Sequence, residues 1–414
     1  MMQNTPKGFR LQIGVFGARN AGKSSLLNRL AGQQISIVSD IAGTTTDPIE
    51  KAMELQPIGP VLLIDTAGLD DVGTLGEMRV EKSRKVLERT DLALIVSGSG
   101  SWGVLENELA EQLRSLKIPF IAVFNKCELQ EPDPELVKLL AGQKIPAVSV
   151  SALSGEGFGD LRCAIISAAP EDFLTPRGML PEFINADSFS VLVTPVDIEA
   201  PKGRLILPQV QAIRDALDKD SWCVVTKENR LAECLQSLKK EPDLVVTDSQ
   251  MFAQVSKIVP DHVPLTSFSI LLARQKTDLS VCASGAAAID FLEDGSRILI
   301  AEACTHHPVG EDIGTVKIPA LLRKKTGKKL QIEHFRGHDF PSDLSEYALV
   351  IHCGACMFNR REMLSRMAFC RTKGVAFTNY GVCIAHCVGI LERALRPFPG
   401  VYESYTSAVR GKGS

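Results

Sequence analysis

Residues 11–32 read LQIGVFGARNAGKSSLLNRLAG, and the fold follows from how this stretch is divided. The run LQIGVF has the apolar content of a buried strand, and SSLLNRLAG repeats apolar residues at helical spacing. Between them, Gly17-Ala18-Arg19-Asn20-Ala21-Gly22-Lys23-Ser24 fits the phosphate-loop pattern of Gly, four residues, then Gly-Lys-Ser. Glycines let the backbone wrap phosphate oxygens, and successive N–H groups and the helix N-terminus supply positive potential. Lys23 is expected to reach the terminal phosphates and Ser24 to bind magnesium, with Ala21 and Ser25 completing the loop's nucleotide contacts.

Outward from this stretch, VLLIDT, LALIVS, IPFIAVFN and IPAVSVSA read as further strands, each followed by a helical pattern. That alternation over residues 10–170 predicts an α/β sheet. Three more loops close strands on the expected ligand edge. Asp65-Thr66-Ala67-Gly68 offers a carboxylate for magnesium and the Gly68 N–H for the terminal phosphate. Asn125-Lys126-Cys127-Glu128 offers a carboxylate to the N1–H and N2–H donors of guanine. Ser151-Ala152-Leu153 ends the next strand.

These loops, in this order, resemble translation-factor-class GTPases of the group that includes the tRNA-modifying GTPase TrmE and the ribosome-assembly GTPase Era. The resemblance implies GTP and Mg2+ as cofactors and GTP hydrolysis as the activity. Gly43-Thr44-Thr45-Thr46-Asp47 resembles that group's switch I, in which Thr45 completes the magnesium shell. Asn20 matches the asparagine that helps bind K+ in potassium-activated members, and Glu77, twelve residues after Asp65, matches a water-orienting glutamate. Catalysis would then rest on Glu77, Lys23 and Asn20. The sequence departs from the group at Glu128, where the base-reading motif ordinarily ends in Asp.

The chain has 414 residues, enough for two or three cores, with 45% apolar and 23% charged residues. Its net charge of -3 offers no general attraction to nucleic acid or anionic lipid. No run approaches the ~18 apolar residues of a membrane span and no signal peptide opens the sequence, so a cytoplasmic location without membrane partners is expected. The GTP-binding domain is predicted over 1–172 and a linker over 173–184. A small α/β module over 185–264 carries no titratable cluster, which suits subunit pairing. A third α/β domain is predicted over 265–414, with strands in RILIAEA, LQIEHF, YALVIHC and VAFTNYG.

Eleven cysteines are too few for a disulfide scaffold in a chain of this length. Ile351-His352-Cys353-Gly354-Ala355-Cys356 puts two of them at a strand-to-helix turn, where a redox dithiol would sit. RILIAEA runs into Cys304-Thr305-His306, and parallel pairing of the two strands would bring Cys304 to the same edge. The pattern is then Cys-x-His, 45 residues, His-Cys-x-x-Cys. Three cysteines and a histidine would satisfy tetrahedral zinc, and three cysteines would equally hold a four-iron cubane. Spacing alone does not separate these.

A GTPase of this group, a middle module and this cysteine pattern together resemble the HydF family, the maturation GTPases of FeFe-hydrogenases, and Phe377-Thr378-Asn379-Tyr380-Gly381 adds to the likeness. The resemblance implies a 4Fe-4S cluster held by Cys304, Cys353 and Cys356. His306 and His352 would be ligands or hydrogen-bond donors to it. It also implies a homodimer that carries a transient di-iron subcluster precursor. The radical-SAM maturases HydE and HydG would load this scaffold, and apo FeFe-hydrogenase would receive the cargo. The competing reading is an RNA-modification or ribosome-assembly GTPase with a structural zinc site.

Overall fold

The computed structural model describes residues 5–32, 40–41, 48–66, 85–98, 100–174, 178–195, 205–303 and 312–411. The chain divides into two units, 1–176 and 177–414. Cys304, His306, Thr45, Gly68 and Glu77, named above as site residues, lie outside the described residues.

Alternation of side chains across each strand organises the first unit. In β1, Leu11–Phe16, every residue is buried. Leu11, Ile13 and Val15 face one core, with Leu26, Leu27 and Leu30 of α1, Lys23–Gly32, and Phe158, Leu161 and Ile165 of a later helix. Phe16 faces the other core, with Leu62, Ile64, Ile95, Leu109 and Leu113. Because the strand is covered on both faces, Gln12 and Gly14, which alternate with Leu11, Ile13 and Val15 along LQIGVF, are buried as well. Burying each α1 leucine contributes about 1.5–3 kcal/mol, which fixes the helix that opens at the phosphate loop.

The remaining strands of this unit are β2, Asp40–Ile41, β3, Ile49–Leu55, β4, Gly59–Asp65, β5, Leu92–Gly98, β6, Phe120–Asn125, and β7, Ala147–Val150. They form one sheet in the order β2-β3-β4-β1-β5-β6-β7. β1 pairs in parallel with β4 and β5, whereas β3 runs antiparallel to β4 and β2 to β3. The helices are α1, α2, of which 85–89 are described, α3, Val104–Ser115, α4, Pro134–Gly142, α5, Phe158–Ala168, and α6, Glu171–Leu174. β2 and β3 were not anticipated. IEKAMEL carries three charged residues and only a partly buried face, so it lacks the apolar run that marks its neighbours.

The second unit holds two parallel four-stranded sheets. The first comprises β8, Phe189–Val193, β9, Trp222–Thr226, β10, Leu244–Thr247, and β11, Leu265–Ser267, in the order β11-β10-β8-β9. Helices α7, Leu207–Asp218, α8, Leu231–Ser237, and α9, Phe252–Val255, supply its crossovers. β11, just past the expected middle module, hydrogen-bonds to β10 as an edge strand of that sheet. At three residues it is too short to declare itself in sequence.

The second sheet comprises β12, Arg297–Glu302, β13, Gln331–Arg336, β14, Tyr347–His352, and β15, Ala376–Asn379, in the order β13-β12-β14-β15. Around it lie α10, Phe268–Lys276, α11, Leu279–Ala287, α12, Ile318–Thr326, α13, Arg360–Thr372, α14, Tyr380–Cys387, α15, Leu391–Leu395, and α16, Pro399–Gly411. β12 and β14 are parallel neighbours, so the chain leading to Cys304 and the Cys353 turn leave the same sheet edge. Among the described residues no helix is long and apolar enough to cross a membrane.

Candidate functional site

The phosphate loop leaves β1 at Gly17, where φ is +144° and an added Cβ would sit 2.1 Å from the Val96 carbonyl oxygen. Gly22 has φ +87°, and a Cβ there would meet Asn125 Nδ2 at 2.3 Å. Only glycine satisfies both positions. Lys23 is buried, and its Nζ donates to the carbonyls of Gly17 at 2.9 Å and Ala18 at 2.8 Å. Ser24 Oγ donates to Asp65 Oδ2 at 2.5 Å. Asn20 is exposed with φ +61°, and Ser25 is exposed on the first turn of α1.

Asp65 ends β4 only 8% exposed, and its Oδ1 is buried without a hydrogen-bond partner among the described residues. Burial raises its pKa above the ordinary carboxylate value, opposed by the Ser24 hydrogen bond and the charges of Lys23 and Lys51. A buried carboxylate oxygen with no donor, beside a hydroxyl and an ammonium, suits a divalent cation. These residues therefore fit Mg2+.

Asn125 ties three loops together. Its Nδ2 donates to the Ala21 carbonyl at 2.9 Å, and its Oδ1 accepts from the Ala152 N–H at 3.1 Å. Ser151 is fully buried, and its Oγ accepts from the Ser154 N–H at 3.1 Å. Lys126 has φ +66° beside the phosphate loop, and Glu128 is exposed in the turn that follows. Asn125→Ala strands the Ala152 N–H and the Ala21 carbonyl, at a cost of about 1–3 kcal/mol for each buried unpaired group. The expected result is a lower unfolding midpoint together with nucleotide affinity weakened by roughly ten- to a hundredfold, measured by calorimetry. Unchanged affinity would remove the linking role.

In the second unit, the Cys353 turn follows β14. Cys353 Sγ accepts two backbone N–H bonds, from Ala303 at 3.1 Å and from Ala355 at 3.4 Å. Ala355 adopts φ +53°, an uncommon conformation for a residue with a Cβ, which turns its N–H toward the sulfur. Burial pushes the Cys353 thiol up to about 11, the two amides working against it and the neighbouring Cys356 and Glu302 adding to it. Converging N–H donors favour a thiolate, and a bound metal would displace the proton. The donor Ala303 immediately precedes Cys304 in the chain, and the two amides on Cys353 Sγ are compatible with a thiolate that holds a metal. Among the described residues alone, no group of three His, Cys, Asp or Glu side chains is arranged to hold a metal.

His352 is fully buried behind the turn. Its Nδ1 lies 3.1 Å from the Cys353 carbonyl oxygen, and its Nε2 lies 3.1 Å from Arg366 Nη1. Burial first, and the Arg366 charge second, lower its pKa to about 3. The roles of three residues here escaped the sequence reading. Glu302 accepts from Tyr380 Oη at 3.0 Å and from Arg336 Nε at 3.0 Å. Burial raises the Tyr380 pKa, and the Cys353 and Glu302 charges add to the rise. Tyr380 lay within the FTNYG stretch already singled out, whereas nothing local marks Glu302 or Arg336.

Residues 280–397 match the model of the hydrogen maturase F tetramerization domain, and residues 179–277 match that of its dimerization domain. Together the two cover just over half of the chain. The chain belongs to the hydrogen maturase F family. In this HydF chain the dimerization match spans β8–β11, and the tetramerization match contains β12–β15 and the Cys353 turn.

Residues 12–126 match the model of a 50S ribosome-binding GTPase, a stretch holding the phosphate loop, Asp65 and Asn125. The tRNA modification GTPase MnmE of Nitrosomonas europaea is 37% identical over 161 residues, 38% of this chain and 35% of that protein. GTPase Der of Wolinella succinogenes is 32% identical over 166 residues, again 38% and 35%. The matched region thus spans about a third of these curated relatives. A crystal structure of Aquifex aeolicus Era bound to GDP.AlF4- is 27% identical, covering 38% of this chain and 56% of that one, at a TM-score of 0.33. HydF membership therefore rests on the second unit, and likeness to curated GTPases on the first.

Proposed function

We propose that this chain is a GTP hydrolase acting as scaffold and carrier in FeFe-hydrogenase maturation. The reading rests on the two HydF domain matches, joined to a cysteine turn whose Sγ gathers two backbone amides. A 4Fe-4S cluster would be held by Cys304, Cys353 and Cys356, with His306 and His352 beside it. Bound through three cysteines, such a cluster supplies one iron with an exchangeable coordination position. The chain would carry a transient di-iron subcluster precursor received from the radical-SAM maturases HydE and HydG and deliver it to apo FeFe-hydrogenase. A cytoplasmic location accompanies this role.

In the GTP-binding domain, taken as 1–172, Gly17, Ala21, Gly22 and Ser25 would cradle the phosphates while Lys23 neutralises developing charge. Ser24, Thr45 and Asp65 would hold Mg2+, and the Gly68 N–H would meet the terminal phosphate. Asn20 would bind K+, and Glu77 would orient the attacking water. Asn125, Lys126, Glu128, Ser151 and Ala152 would enclose the guanine. Glu128 is a carboxylate, an acceptor for both guanine donors and unsuited to adenine's N6 donor and N1 acceptor pair.

The middle module, taken as 185–264 after a linker at 173–184, would form a homodimer, and 265–414 would carry the cluster. β9 is the outer strand of its sheet, and Trp222 at 53% and Val225 at 45% are exposed along it. An apolar edge strand with no further strand beside it among the described residues invites pairing with a second copy. Val225→Asp is expected to shift the mass measured by light scattering from dimer toward monomer. A variant that elutes at the wild-type mass would move the interface elsewhere.

The deciding experiment is anaerobic reconstitution, with iron and sulfide counted per chain and EPR recorded with and without GTP and K+. About four irons and a reduced-cluster signal support the reading. Zinc in place of iron, or salt-sensitive RNA binding, overturns it in favour of a zinc-stabilised GTPase acting on RNA.

A further inference from the structure

The Cys353 turn is backed by a buried polar chain that the proposed function does not use. Arg366, on α13 and 5% exposed, is packed with its guanidinium carbon 4.5 Å from the Phe358 ring centroid and 4.8 Å from that of Phe340. Its Nη2 donates to the Gly337 carbonyl at 2.9 Å and lies 3.3 Å from Glu362 Oε1. Glu362, 4% exposed, also receives His338 Nδ1 at 2.9 Å. Its backbone N–H is fixed by the Asn359 side chain that caps α13. The guanidinium is thereby aimed, and its Nη1 meets His352 Nε2 at 3.1 Å.

A guanidinium has only donors and keeps its proton at any working pH. His352 Nε2 must therefore accept, which assigns the ring proton to Nδ1, and Nδ1–H then donates to the Cys353 carbonyl at 3.1 Å. Phe358 and Phe377 lie 5.9 and 6.3 Å from the imidazole centroid and enclose it. Both ring nitrogens are committed, one to an arginine and one to the first carbonyl of the cysteine turn.

We propose that Arg366 is a positioning residue for the cluster site: it fixes the His352 tautomer, pins the Cys353 carbonyl through it, and withholds the imidazole from metal. The inference rests on the cluster reading above for its purpose, although its geometry belongs to the protein itself. A fixed cation behind the turn also favours the more negative, reduced state of whatever the cysteines hold.

The test has one arm on cluster-free protein and one on reconstituted protein. With 15N-labelled histidine, two-bond 1H–15N spectra of the wild type are expected to show His352 protonated at Nδ1. Arg366→Met should lose that single tautomer, while Arg366→Lys, which keeps one donor and the charge, should retain it. In reconstituted protein, a redox titration followed by EPR should find the Arg366→Met cluster at a lower potential than wild type. Arg366→Lys should titrate closer to wild type, and strong histidine nitrogen coupling should appear only in Arg366→Met.

A wild-type ring protonated at Nε2 overturns the proposal, as does an Arg366→Met variant with unchanged tautomer and potential. If Arg366→Met fails to fold, the wild-type tautomer and the Arg366→Lys comparison still decide. If no cluster assembles in wild-type protein, the functional reading fails, while the tautomer arm still tests Arg366.

Discussion

Asp65→Asn is expected to lower Mg2+-dependent GTP hydrolysis by about two to three orders of magnitude, while making the nucleotide-free protein more stable. Both effects come from one feature. The Asp65 carboxylate is buried, one oxygen is taken by Ser24, and the other has no donor among the described residues. Burial is the largest influence on its pKa and raises it. The folded protein then holds the Asp65 proton more tightly than the unfolded chain does. Stability falls as pH rises from the unfolded value of 3.8 through the raised folded value, and the whole penalty is present at neutral pH.

Removing the charge relieves that penalty. A gain of about 1 kcal/mol is reasonable for an incompletely satisfied buried group, or roughly 2–4 °C in the melting temperature of a unit this size. The gain should shrink as pH is lowered toward 3.8, where the wild-type group protonates too. Magnesium is expected to reverse the sign, because a carboxylate binds it more tightly than an amide oxygen does. Calorimetry at pH 7 and pH 5, with and without Mg2+ and GTP, separates the two contributions. A variant that hydrolyses GTP at the wild-type rate would remove Asp65 from the magnesium site.

The phosphate loop was legible because its chemistry is local. Gly17, Gly22 and Lys23 sit within seven positions, and the strand before them and helix after them carry their own hydrophobic signals. β3 was not legible, since its partner β4 decides its existence and its charged residues interrupt the pattern. The Cys353 pair was visible as a motif at a strand-to-helix turn, and the turn is found there, between β14 and α13. What encloses it was hidden. Glu302 and Tyr380 stand beside Cys353, and Arg366 backs the preceding His352, from β12, α14 and α13, which adjoin only because the sheet orders its strands β13-β12-β14-β15. No periodicity within a segment encodes that order.

The two candidate sites share one construction on different sheets. Each lies at the carboxyl edge of parallel strands, where a loop turns from a buried strand into a helix N-terminus. In the first unit the loop's glycines let Val96 and Asn125 approach the loop closely, and Lys23 lies buried against the loop carbonyls. In the second, backbone N–H groups point to a sulfur, and the cation Arg366 stands behind an imidazole. The first arrangement suits a hard, multiply charged oxyanion that exchanges. The second suits soft thiolate ligation.

Cys353→Ser and Cys370→Ser are expected to fail in opposite ways, and the contrast tests the proposed cluster site. Cys353 Sγ already accepts two backbone amides, and a serine hydroxyl can accept them as well. The variant should therefore fold with stability within about 1 kcal/mol of wild type. It loses a thiolate ligand, so iron per chain and the reduced-cluster EPR signal should fall at least tenfold after reconstitution. Cys370 is fully buried on α13, and burial pushes its thiol up to about 12. A hydroxyl in its place is more costly to desolvate, about 1–3 kcal/mol, while iron content should hold at the wild-type level. Loading itself should improve between pH 7 and pH 9, because the Cys353 proton, held to about 11, must leave as metal binds. Iron retained at the wild-type level by Cys353→Ser would exclude this sulfur as a ligand, and with it the observation on which the cluster site rests.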